Sequence, residues 1–301
     1  MIMAFLAQTI RIAIPYLFAA AGGTVAERSG IISLTLEGFM LTGAFTAALG
    51  SWYSGSPWVG VLCAVAGGLV FGMIHAVATI RFRANQVVCG VAINLLAIGV
   101  TRFFLELAFD SASNSPRVPG FSAGVGANGG AGTGSGSALP GLLHNPLIPI
   151  GLLVIPLVAW VLYRTPFGLR VRAVGEHPEA AATLGVPVHR VRYMAVAVSG
   201  ALAATGGAYL ALDQHQFTDG MSAGRGFIAL AAMILGGWDP MRAGMACLLF
   251  AAAEALQIDL QGTQALASQF VQMIPYVLTI VALMGLVGKA VPPAALGKEE
   301  A

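Results

Sequence analysis

The chain has 301 residues, of which 57% are hydrophobic and 9% charged, with a formal net charge of +2. Soluble domains carry about a quarter charged residues, so an ordinary soluble enzyme is excluded. The small positive excess says little by itself, because the placement of Lys and Arg matters more in such a chain than their sum.

Apolar runs long enough to cross about 30 Å of hydrocarbon as helices are predicted at 3–22, 31–50, 58–80, 87–109, 146–163, 193–212, 243–258 and 268–288. A further run, 226–237, is too short for an ordinary span and reads as either a crossing element or a re-entrant half-helix. The fold class is therefore all-α: a polytopic membrane bundle of about 8–9 elements forming one domain over residues 1–301. No basic residue precedes Arg11 and the chain continues hydrophobic, so no cleaved signal peptide is expected.

After the first run comes Glu27-Arg28-Ser29-Gly30-Ile31-Ile32-Ser33, and then Glu37 followed by Gly38. A carboxylate inside a span is costly unless it faces a cavity or a partner, and Gly and Ser on both sides predict a broken helix near residues 30–38. Gly30, Ser33 and Glu37 either line a substrate path or cap a helix start at the membrane interface. Gly60, Gly67, Gly68 and Gly72 in the third run, and Ser199, Gly200, Ala204, Gly207 and Ala208 in the sixth, form small-residue faces for helix packing.

Arg81 and Arg83 mark a short cytoplasmic loop by the positive-inside rule. Asn85 and Gln86 begin the next run. Asn94, about two turns deeper, either meets a polar solute or bonds a neighbouring helix. Residues 110–145 include the tract GVGANGGAGTGSGS and read as a flexible exterior loop without a core.

Residues 164–192 hold five of the fifteen Lys and Arg residues and fall on the Arg81 side. Thr165-Pro166 supplies a start. The run Glu176 to Leu184 is predicted as a short helix with carboxylates in its first turn, ended by Gly185 and kept from resuming by Pro187. A positive-inside anchor needs the arginines but not the helix, so the island reads as a docking element. Lys289 and Lys298 follow the last run; a crossing element at 226–237 puts them in the cytoplasm as well, and a re-entrant one does not.

On the exterior side, Asp213, His215, Asp219 and Arg225 form a charged cluster, and Glu254 and Gln257 share a face of a late helix at i and i+3. Cys63, Cys89 and Cys247 lack metal or redox spacing. GxxxxGK[ST], HExxH and GxSxG are missing, and the five His residues do not pair as metal ligands. No catalytic residue, metal or cofactor is expected, and ATP hydrolysis by this chain is not.

Glu179-Ala180-Ala181, three residues, then Gly185 resembles the opening of the EAA loop by which ABC-importer permeases dock on their ATPase, although the later hydrophobic-Pro part of that pattern is missing. GEHPEAAATLGVPVHRVRY, ERSGIISLTLEGFMLTGAF, NQVVCGVAINLLAIGVTRF and GRGFIALAAMILGGWDP resemble the branched-chain amino acid and simple-sugar permease superfamily. Together they look most like the smaller permease of its nucleoside branch, which works with a lipoprotein of the basic-membrane-protein type. The likeness runs from about Ala26 to Gln257.

The resemblance implies a multi-pass subunit of the bacterial inner membrane working by alternating access. Its implied partners are a second related permease, a cytoplasmic ABC ATPase, an exterior binding lipoprotein and membrane lipid, with no nucleic acid. Glu176, His177, Glu179, Ala180, Ala181 and Gly185 would couple to the ATPase. Gly30, Ser33, Glu37, Asn94, Glu254 and Gln257 are the candidates for the substrate path. Simple sugars or branched-chain amino acids remain alternative solutes, and an ion-coupled secondary transporter is the alternative class, since Glu37 and Glu254 would suit ion coupling.

Overall fold

The computed structural model describes residues 2–121, 145–261 and 291–298, and these form no strand, only an isolated bridge between Asn114 and Thr218. The helices are α1 (Ile2–Arg28), α2 (Leu36–Ser54), α3 (Pro57–Ala76, continued by a π-helical turn, Val77–Arg81), α4 (Gln86–Phe109), α5 (Leu147–Arg164), α6 (Pro166–Glu176), α7 (Pro178–Thr183), α8 (Val188–Gln214), α9 (Arg225–Leu235) and α10 (Pro240–Gln261).

Among the described residues six helices are long and apolar enough to cross a membrane: α1, α3, α4, α5, α8 and α10. The expected count was 8–9. Helix α9 has eleven residues, and the expected span 268–288 and most of the 110–145 loop lie outside the described residues. Helix α2 has spanning length but carries Glu37, two Thr, three Gly and two Ser. It is buried along most of its length, and a helix sheathed by protein need not be apolar all round.

Glycine sets the spacing of this core. A Cβ on Gly207 of α8 would lie 1.9 Å from the Met40 carbonyl of α2, and Gly68 of α3 and Gly200 of α8 face each other with each virtual Cβ 2.2–2.3 Å from the other's carbonyl. Backbone therefore meets backbone, the close approach that small residues allow where lipid gives helices no hydrophobic drive to associate. The small-residue faces of α3 and α8 thus pack within the bundle.

Residues 215–239 cross from one end of the bundle to the other in two halves. At the end away from the arginine-rich island, Val118 N donates to His215 O (2.8 Å), Ser115 N to Phe217 O (2.8 Å) and Asp219 N to Ser113 O (2.8 Å). The chain then descends without helix to Gly224, continues as α9, and turns at Gly237 and Trp238, where Arg28 Nε donates to Trp238 O (2.8 Å). On that same side Ala295 N donates to Gly175 O (2.9 Å), so the tail and the island share a face. The short run thus belongs to a segment that links the two ends of the bundle.

Candidate functional site

The break predicted near residues 30–38 lies between two helices: α1 ends at Arg28, and seven residues of turn and extended chain lead to α2. Their backbone groups need partners, because non-helical backbone at membrane depth survives only where protein or a wet cavity satisfies it. Gly30 supplies a left-handed turn (φ +94°). The buried Glu27 carboxylate accepts Ser33 N (3.0 Å) and Trp238 Nε1 (2.6 Å). Gln86 Oε1 accepts Ile32 N (2.8 Å), His75 Nε2 lies 3.3 Å from Ile32 O, and Arg192 Nε donates to Ser29 O (3.2 Å). Asn94 donates Nδ2 to Leu34 O (2.9 Å) and accepts Gly38 N at Oδ1 (2.9 Å). The Asn94 amide thereby staples the break to α4.

Glu37, in the first turn of α2, reaches the start of α9. Its Oε1 accepts Ser222 Oγ (2.6 Å) and Gly224 N (2.8 Å), and its Oε2 accepts Gly226 N (2.7 Å). One carboxylate thus serves two helix N-termini, where aligned peptide dipoles favour negative charge. Glu254 of α10 accepts hydrogen bonds from Tyr16 Oη and from Arg225 Nη2 (3.2 Å). Gln257, half-buried, sits one turn further along α10.

The structure departs from the sequence pattern at Arg225 and along the island. Arg225 leaves the exterior cluster to pair with Glu254, while Asp213 pairs with Arg11 (3.4 Å). The island folds as two helices: Glu176 closes α6, and only Glu179 stands in the first turn of α7. Pro178 is the cause, since it lacks an N–H and pushes His177 to φ −141°, ψ 81°. The end of α7 follows the expected chemistry. Gly185 (φ +80°) donates to Ala182 O (2.9 Å) and Val186 N to Ala181 O (3.1 Å), a Schellman-type cap. Ala181 is buried, whereas Glu179, Ala180, Thr183 and Leu184 are exposed, Leu184 at 85%. A cavity of about 690 Å³ opens beside α7, lined by Glu176, His177, Glu179 and His189 together with Ala295 and Lys298 of the tail.

Sequence reasoning missed Glu27, His75, Trp238, Ser222 and Tyr16 as parts of this network. Glu27 carried a usable signal, a carboxylate directly before a Gly-interrupted polar stretch; the aromatic and His partners carried none, because their roles arise from contacts more than forty positions away.

A many-spanning helical bundle with non-helical backbone clamped at depth and a capped, exposed helix on its arginine-rich face is the build of a multi-pass membrane permease. The sequence matches the family described as branched-chain amino acid transport system / permease component over residues 5–283, and the chain belongs to that family. It is 39% identical to the guanosine ABC transporter permease protein NupQ of Bacillus subtilis, covering 96% of this chain and 93% of that one. It is 36% identical to the nucleoside ABC transporter permease protein NupC of Lactococcus lactis, covering 94% and 92%. A second Bacillus subtilis relative, the guanosine ABC transporter permease protein NupP, is 24% identical over 77% of this chain and 68% of its own length. The fold is similar to that of a solved ABC transporter in an inward-facing conformation, with a TM-score of 0.52 and 13% identity, covering 95% of this chain and 86% of that one.

Proposed function

We propose that the chain is the transmembrane permease subunit of an ATP-driven ABC importer for nucleosides in the bacterial plasma membrane. The observation that carries this reading is the 39% identity to a guanosine permease over nearly the whole of both chains. Bacillus subtilis supplies one near and one remote relative of this chain. That pairing supports a heterodimer with a second, related permease. ATP hydrolysis takes place on a separate cytoplasmic subunit, and an exterior lipoprotein delivers the solute.

Helix α7 with Gly185 is the coupling element, and its exposed Glu179, Ala180 and Leu184 meet the ATPase. The solute path follows the two non-helical segments, 29–35 and 215–224, which meet at Glu37. Glu37, Glu254 and Gln257 lie along it; Gly30, Ser33 and Asn94 shape it from behind. Alternating access then amounts to rocking α9 and its neighbours about this junction.

The test is uptake of labelled guanosine into vesicles carrying both permeases, the ATPase and the lipoprotein. Uptake should require ATP and be lost in a correctly inserted Glu179→Lys or Gly185→Pro protein. Uphill uptake by this chain alone on an ion gradient overturns the class, and uptake of ribose or leucine without guanosine overturns the solute.

A further inference from the structure

The segment Val291-Pro292-Pro293-Ala294-Ala295-Leu296-Gly297-Lys298 follows the last predicted run. The structure gives it three attachments. Two prolines fix the backbone dihedral φ at the start, and two turns follow, Leu296 N to Pro293 O (3.0 Å) and Lys298 N to Ala295 O (3.2 Å). The segment so formed docks first on the end of α6: Ala295 N donates to Gly175 O (2.9 Å) and Ala294 N to Glu176 Oε2 (3.3 Å). Next it docks on the break, where Gly297 N donates to Gly30 O (3.2 Å) and Gly297 lies against the Ile32 side chain. Finally Leu296 packs with Met233, Trp238 and Ala243 at the elbow between α9 and α10.

These attachments join parts that are remote in sequence and that belong to opposite ends of the transport cycle. Gly175 stands three residues before Pro178, which opens α7, with His177 alone carrying the turn between α6 and α7. Gly175 is also pressed so closely on α1 that a Cβ there would lie 2.0 Å from Arg28 O. Gly30 is the left-handed turn residue of the non-helical segment that leads to Glu37. Trp238 holds Glu27 and receives Arg28. Ala295, 3% exposed, is buried where these pieces converge.

We propose that Ala294–Gly297 is a transmission strap: it carries movement of the coupling helix onto the Gly30 break and the α9–α10 elbow, with Ala295 and Gly297 as positioning residues. The proposal rests on the coupling role given to α7 above. A passive brace would hold the fold together and leave the yield of transport per ATP unchanged. A strap sets that yield, because only displacement delivered to the break moves solute.

The experiment uses the full complex in proteoliposomes, measuring labelled guanosine taken up and ATP hydrolysed in the same vesicles. Ala295→Pro removes the N–H given to Gly175 and Ala295→Gly keeps it. Gly297→Ala puts a side chain on a left-handed residue (φ +71°), 2.8 Å from Ile32 Cδ1. Guanosine moved per ATP should fall about tenfold in Ala295→Pro, within the usual range for a coupling interaction, with the hydrolysis rate within about twofold of wild type. Gly297→Ala should fall less and Ala295→Gly hardly at all. Should Ala295→Pro fail to assemble, Gly297→Ala decides. A wild-type ratio in every variant that assembles overturns the strap while leaving the importer reading intact; a wild-type complex that takes up guanosine without ATP overturns the importer reading itself.

Discussion

Glu37 and Gly226 lock the starts of two helices together. Glu37 Oε2 accepts the Gly226 N–H at 2.7 Å, and the glycine has no room for a side chain, since a Cβ would lie 2.4 Å from Glu37 N. The carboxylate of α2 therefore does for α9 what a capping residue of its own would do. Gly224, the residue before α9, offers no side-chain cap and gives its own N–H to the same carboxylate. Two non-helical segments end at this junction, so whatever moves α9 is felt by α2.

Removing the carboxylate should therefore act in graded steps. Glu37→Gln keeps one acceptor oxygen but loses the charge that two helix starts favour, and should cost about 1 kcal/mol. Glu37→Ala leaves two backbone N–H groups and the Ser222 hydroxyl without their acceptor, at about 1–3 kcal/mol for each that stays dry. Thermal unfolding of the detergent-purified protein should rank wild type above Gln above Ala, with uptake following the same order. An alanine variant as stable as wild type would show that the junction is not held by Glu37.

Glycine substitutions should separate by what lies opposite. Gly207→Ala forces its Cβ into the Met40 carbonyl, a backbone atom that yields only if α2 and α8 part. It should destabilise by several kcal/mol, as overpacking of a tight core does at about 1–3 kcal/mol and a backbone clash more. Gly99→Ala in α4 meets nothing within 4 Å and should be neutral or slightly stabilising, since alanine is the better helix former. Expression level and unfolding midpoint compared across the pair measure the difference; equal behaviour would mean that the α2–α8 contact is looser than the structure has it.

Much of this architecture was legible from local chemistry. Helix positions followed from apolar length, the end of α7 from Gly185 and Pro187, and the packing faces from Gly68, Gly200 and Gly207, because each depends on residues close in sequence. The clamps were not legible. Asn94, Gln86 and Glu27 bond backbone that lies 56, 54 and 6 positions away, and for the first two nothing in the local sequence distinguishes a staple from a solute contact. Arg225 was misplaced for the same reason: its partner Glu254 is 29 positions off, on another helix. Pro178, like Glu27, was a local signal left unused: it divides the island into two helices where one was expected.

At Gly185 only the backbone is constrained. Its φ is +80°, yet a Cβ there would meet no atom within 4 Å. Gly185→Asn should therefore retain most uptake, because Asn tolerates the left-handed region. Gly185→Val, β-branched and unable to sit there cheaply, should lose it along with the cap. Copurification of the ATPase with each variant reads the effect directly, and loss of the ATPase in Asn as complete as in Val would show that a bulk limit at the docking face, rather than the turn, sets the need for glycine.

The pair Arg225 and Glu254 discriminates between the two transporter classes. Their side chains are 23% and 21% exposed, and the Tyr16 hydroxyl donates to the same carboxylate. Losing one member of a fully buried pair costs about 3–5 kcal/mol, and partial solvation here lowers the expected loss for Arg225→Ala to about 1–3 kcal/mol. Arg225→Met with Glu254→Leu should recover part of that loss, since the double variant leaves no charge without a partner; a double-mutant cycle on unfolding midpoints gives the coupling. Glu254→Gln keeps an acceptor for Tyr16 and Arg225 while removing the group an ion would bind. In an ATP-driven importer it should retain substantial guanosine uptake, unaffected by a protonophore. Abolished uptake in a stable, assembled Glu254→Gln complex, with wild-type transport collapsing when the ion gradient is dissipated at constant ATP, would make Glu254 a coupling-ion site and its ion pair with Arg225 a gate.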